Sequence, residues 1–80
     1  MKINVLAFGI AKEIVGRPKE VLDVSDGITA GELKVLLEEK YPDLLKLRSY
    51  FLAVNEEYAT EEQSIKADDE IALIPPVSGG

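Results

Sequence analysis

The last six residues, Pro75-Pro76-Val77-Ser78-Gly79-Gly80, are the part of this chain best suited to chemistry. Gly79 and Gly80 lack a Cβ, so they can enter a slot too narrow for any side chain. At the tip stands the free α-carboxylate of Gly80 on a thin stalk. A carboxylate is a poor electrophile, but an activating enzyme can adenylate it and pass the acyl group to a nucleophile. The competing reading is an ordinary loose end, since termini are commonly disordered. Pro75 and Pro76 offer no N–H and cannot continue a central strand. They stiffen the exit as extended chain, and Val77 to Gly80 then reach roughly 13 Å from the body.

Little else in the sequence carries reactive chemistry. There is no Cys and no His, which removes thiol nucleophiles, disulfides, the usual metal ligand and the side chain that titrates near neutrality. No metal site and no cofactor are expected. Eighty residues make one small domain with little room for a catalytic pocket. At 46% hydrophobic and 30% charged residues, the chain has the balance of a folded domain rather than a disordered one. The net charge of −6 argues against a nucleic-acid partner. Lys12, Arg17, Lys19, Lys34, Lys40, Lys46, Arg48 and Lys66 are scattered among acids, so no local basic groove offsets it. A basic face on a partner protein suits this surface better. The apolar run near Met1 is too short for a signal peptide, and no stretch reaches transmembrane length. With no Cys, a cytoplasmic location away from membranes is expected.

The elements that must position the tail read as follows. Ile3 to Phe8 alternates as a strand, with Ile3, Val5 and Ala7 on one face and Leu6 and Phe8 on the other. Apolarity on both faces predicts a central, well-covered strand. Ile10 to Val15 is a short helical connection between Gly9 and Gly16, and Glu20 to Val24 a second, antiparallel strand. Thr29 and Glu32 have capping-box spacing. The stripe Leu33, Leu36, Leu37 and Tyr41 then marks a helix that Pro42 ends. Asp43 to Ser49 is a mixed segment, Tyr50 to Val54 a third strand, and Asn55-Glu56-Glu57 a turn. Ile71 to Ile74 is a last strand at the sheet's centre. Strand, strand, helix, strand, strand describes an α+β chain, a β-grasp mixed sheet wrapped on one main helix. The domain spans residues 1–76, and residues 77–80 form a flexible tail.

The strand Val5-Leu6-Ala7-Phe8, the segment Ala53-Val54-Asn55 and above all the ending Pro75-Pro76-Val77-Ser78-Gly79-Gly80 resemble the small, MoaD-type subunit of molybdopterin synthase. The likeness spans essentially the whole chain and is sharpest at the tail. It implies a ubiquitin-like sulfur carrier of the MoaD/ThiS kind. An ATP-dependent, E1-like activating enzyme (MoeB-type) would adenylate Gly80. A sulfur-donor protein would then convert it to a thiocarboxylate. Carried by Val77, Ser78 and Gly79, that group would enter the active site of a large, MoaE-type subunit, which would supply the catalytic side chains. There it would provide sulfur for the dithiolene of molybdopterin, and the resemblance implies a heterotetramer of two small and two large subunits. Ile74, Pro75 and Val77 would form an apolar collar at the tail's root that, with Pro76, suits a partner's docking groove, and by position Tyr58 and Lys12 match places where the family contacts its activating enzyme. Ile74 also suits plain core packing, and Lys12 and Tyr58 suit ordinary surface.

Two other functions share these features. A ubiquitin-like modifier would join Gly80 to target lysines instead of delivering sulfur. A sulfur carrier for thiamine synthesis would also end in Gly-Gly, but the Pro-Pro ahead of this tail argues against it.

Overall fold

A computed structural model describes residues 1–47 and 49–75. Alternation builds β1 (Lys2–Ala7), which Gly9 turns into the short helix α1 (Gly9–Val15). The chain returns as β2 (Lys19–Asp23), antiparallel to β1. Thr29 caps α2 (Ala30–Lys40): its hydroxyl accepts from the Glu32 backbone while the Glu32 carboxylate accepts from the Thr29 N–H. Pro42 cannot extend that helix and instead opens a 3₁₀ turn over Pro42–Lys46. Strands β3 (Phe51–Val54), β4 (Glu57–Tyr58) and β5 (Glu70–Ile74) complete the chain.

The five strands form one mixed sheet in the order β2-β1-β5-β3-β4. β1 and β5 run parallel, and every other pair is antiparallel. This is the β-grasp arrangement expected, with β5 at the centre and one strand more than the sequence suggested. That strand, β4, has two residues, too few for an alternation to register.

One face of the sheet makes the core. Ile3, Val5 and Ala7 of β1, Leu22 of β2, Leu52 and Val54 of β3, and Ile71 and Leu73 of β5 pack with Leu33 and Leu37 of α2. Ala11 and Val15 of α1 and Leu44 of the 3₁₀ turn close the same cluster. Ile74 is absent from it, which answers the core-packing alternative for that residue.

Glu20 is the one buried charged side chain among the described residues, 6% exposed on this inner face. The Tyr41 hydroxyl donates to it, Lys40 Nζ lies 3.0 Å away, and Arg17 pairs at 3.6 Å. The Tyr41 hydrogen bond, then that of Lys40, holds the carboxyl below its ordinary value of 4.5. Burial and the same carboxylate push the Tyr41 phenol up to about 12. Lys40 and Arg17 are solvent-screened, so Tyr41 carries most of the effect. A depressed folded-state pKa stabilises above the unfolded value and is lost as pH falls through the folded one. Glu20→Gln is therefore expected to cost about 1 kcal/mol at pH 7, a drop in Tm of roughly 4–8 °C. The gap to wild type should close as melts are repeated from pH 5 down to about pH 2, the acid end of this linkage.

Candidate functional site

Strand register decides what faces away from the core. Leu6 pairs with Lys19 on one side and Ala72 on the other; Ala72 pairs with Ala53, and Ala53 with Tyr58. Side chains of paired residues share a face. One row thus crosses all five strands on the outer side, apolar between Lys19 and the Tyr58 ring. The next row sets Ile74 beside Phe51. Phe8, past the end of β1, is 51% exposed, Phe51 is 48% exposed, and Tyr58 is 69% exposed. The Phe51 and Tyr58 rings meet at 5.2 Å between centroids, tilted by 38°. Together Leu6, Phe8, Ala53, Tyr58, Ala72 and Ile74, with Glu56 and Glu70, line an open cleft of about 310 Å³. Among the described residues no element covers the second apolar face of β1, contrary to the sequence reading. Both helices pack on the inner face.

Three expected contact residues sit around this cleft. Ile74, half-buried, and Tyr58 line it. Pro75 follows Ile74 directly and rests on Gly9, where an added Cβ would come within 3.2 Å of the Pro75 ring. Gly9 has φ +54, a conformation that other residues rarely take. The root of the tail is thereby seated where β1 passes into α1. Lys12 is exposed on α1 and does not line the cleft. Pro76, Val77, Ser78, Gly79 and Gly80 lie outside the described residues. Sequence reasoning missed Phe8, Phe51 and Ala72 as parts of one surface. Their signal was present as apolar residues at the off-core positions of alternating strands.

The turn at the cleft's end is tied down. The Asn55 backbone N–H donates to the Glu70 carbonyl at 2.8 Å, and the Glu70 N–H donates to Asn55 Oδ1 at 2.9 Å. Asn55 Nδ2 donates to Asp69 Oδ1 at 3.0 Å, and the Lys66 N–H to Asp69 Oδ2 at 2.8 Å. The Lys66 N–H, then the Asn55 amide, holds the Asp69 carboxyl below its ordinary range. Among the described residues no group of Asp, Glu, His or Cys could hold a metal ion, and no helix is long and apolar enough to cross a membrane.

Residues 5–80 match the model of the ThiS family. The chain belongs to the ThiS family. Within it, the chain is 41% identical over 81 residues to the molybdopterin synthase sulfur carrier subunit of Arabidopsis thaliana, covering 100% of this chain and 84% of that protein. The fold superposes on the small archaeal modifier protein SAMP1 of Haloferax volcanii with a TM-score of 0.84 and 27% identity, over all of both chains. It also superposes on a chain from the complex of subunits 1 and 2 of the molybdopterin-converting factor of Helicobacter pylori. There the TM-score is 0.69 and the identity 26%, again over all of both chains. The resemblance read from the tail and the ubiquitin-like β-grasp fold are both borne out by this ThiS-family membership.

Proposed function

We propose that this ThiS-family chain is the sulfur-carrier small subunit of a molybdopterin synthase. The observation that carries the reading is the continuity of β5 with the tail. That strand contributes Ala72 and Ile74 to the outer cleft and leads straight into Pro75. A partner that seats on the cleft therefore fixes where the tail enters it. The relative from Arabidopsis thaliana is named a sulfur carrier subunit, and the neighbour from Helicobacter pylori is seen with a second subunit; both support this assignment.

In this reading the Gly80 carboxylate attacks ATP on an E1-like activating enzyme, releasing pyrophosphate and leaving an acyl-adenylate. AMP is a good leaving group, so a persulfide sulfur on a donor protein displaces it. A thiol then cleaves the resulting acyl disulfide and leaves a thiocarboxylate on Gly80. Sulfur is softer and more polarizable than oxygen, and it supplies the nucleophile that a chain without Cys lacks. Gly79 and Gly80 pass a narrow channel, while Pro75 and Pro76 lower the entropy lost as the tail orders. The large subunit provides the acids, bases and oxyanion donors that move two such sulfurs onto cyclic pyranopterin monophosphate. Ile74, Tyr58, Pro75 and the aromatic rings of Phe8 and Phe51 form the docking surface; Lys12 contacts the activating enzyme. The test is reconstitution: chain charged with thiocarboxylate, mixed with large subunit and the pyranopterin, should yield dithiolene in proportion to thiocarboxylate consumed. Consumption without dithiolene would overturn the assignment.

A second reading, a protein modifier, draws on the likeness to the archaeal modifier protein. It would be favoured by lysine-linked conjugates of this chain in cells, with no thiocarboxylate.

A further inference from the structure

Strands β3 and β4 are joined by the two residues Asn55 and Glu56, with φ of +53 and +71. Two-residue hairpins of this left-handed kind favour Asn followed by Gly, because a Cβ is strained there. Asn55 fits the rule, and its amide is clamped by Asp69 and Glu70. Glu56 does not. Among the described residues its carboxylate has no hydrogen bond and no ion pair. The ladder of β3 with β4 and the Asn55 clamp hold this backbone in place, and strain held in this way clusters at sites of function.

What the side chain faces is the outer cleft. Glu56 and Glu70 line it together with apolar residues and Tyr58, and no Lys or Arg is among the lining residues. The nearest cation in register, Lys19, stands beyond Leu6 on β2, across the sheet from the β3–β4 turn. The cleft thus combines an apolar floor with two carboxylates. We propose that Glu56 is a specificity-determining contact which, with Glu70, selects a partner surface that sets an apolar side chain into the cleft beside a lysine or arginine. The inference rests on the reading that the large subunit docks on this face, and adds which of its surfaces can do so.

The experiment titrates large subunit from the same organism with wild type, Glu56→Gln and Glu56→Gly, in low and in physiological salt, and melts each chain alone. Gln keeps the strained side chain without its charge, whereas Gly removes both. Both variants are expected to bind about three- to fivefold more weakly than wild type in low salt, the scale of a rim ion pair. The loss should appear mainly in the association rate and shrink as salt is added. Glu56→Gly should melt at or above the wild-type temperature, since glycine accepts the turn's backbone freely. Wild-type affinity in both variants would overturn the proposal while leaving docking on the cleft intact. So would a Glu56→Gly chain that melts below wild type, because Glu56 would then serve the fold. A wild-type chain that fails to bind the large subunit would instead overturn the docking reading itself.

Discussion

Deleting Gly80 is expected to reduce dithiolene formation below detection while leaving the fold and its melting nearly unchanged. The chemical half of this expectation follows from what would be lost. If the terminal glycine carboxylate is the group that is adenylated and then sulfurated, shortening the chain by one residue moves the new carboxylate, on Gly79, back by roughly 3.5 Å. A displacement of even 1 Å from a productive geometry can cost about 100-fold in rate. Gly80→Ala keeps the length but adds a methyl at the narrowest point, and a steep loss is expected there too. The structural half follows from the core, whose buried members among the described residues run from Ile3 to Leu73 and close around α2. Changes outside such a core usually stay within about 0.5 kcal/mol, so Tm should move by no more than roughly 4 °C. Melting curves and a dithiolene assay on the same preparations separate the two halves. Normal product from the shortened chain would remove Gly80 from the chemistry.

The second large effect is expected at Ile74. It is half-buried on the outer face, opposite Phe51, and belongs to no part of the core cluster. Ile74→Asp would place a carboxylate in the middle of an apolar contact, where it must be desolvated without a partner. Burying an uncompensated charge costs several kcal/mol, so association with the large subunit should weaken by at least about 100-fold. Asp is a poor strand residue, and a loss of about 1 kcal/mol in the free chain is expected as well, which still leaves it folded. Far-UV circular dichroism checks that point, and titration calorimetry reads the affinity. Phe51→Ala offers an independent probe of the same surface with less risk to β5, because it removes an exposed ring rather than adding a charge to the central strand. Unchanged affinity in both variants would move the docking surface elsewhere.

Local signals made much of this fold legible. Thr29 and Glu32 announced the start of α2, and Pro42 its end, because capping and the missing proline N–H act within one turn of helix. β5 could be placed at the sheet's centre because Ile71 to Ile74 is an unbroken apolar run. Features set by distant partners stayed hidden. Glu20 reads as a surface residue until Tyr41 and Lys40, some twenty positions away, are folded against it. Leu6 and Phe8 correctly marked a second apolar face, but the sequence does not say whether a helix covers that face. Among the described residues none does, and the row that joins Leu6 to Ala72, Ala53 and Tyr58 exists only once the register of three strand pairs is known. The turn at Asn55-Glu56 was visible in outline, while its left-handed backbone and its clamp to Asp69 were not.

Sulfur carriage on Gly80 is tested most directly by an intact mass of the chain after incubation with ATP, the activating enzyme and a persulfide donor. A gain equal to the exchange of one oxygen for sulfur is expected in wild type and should be absent without ATP or without Gly80. An unchanged mass in the complete mixture, with this chain instead appearing on the lysines of other proteins, would contradict sulfur carriage and place the chain among the modifiers.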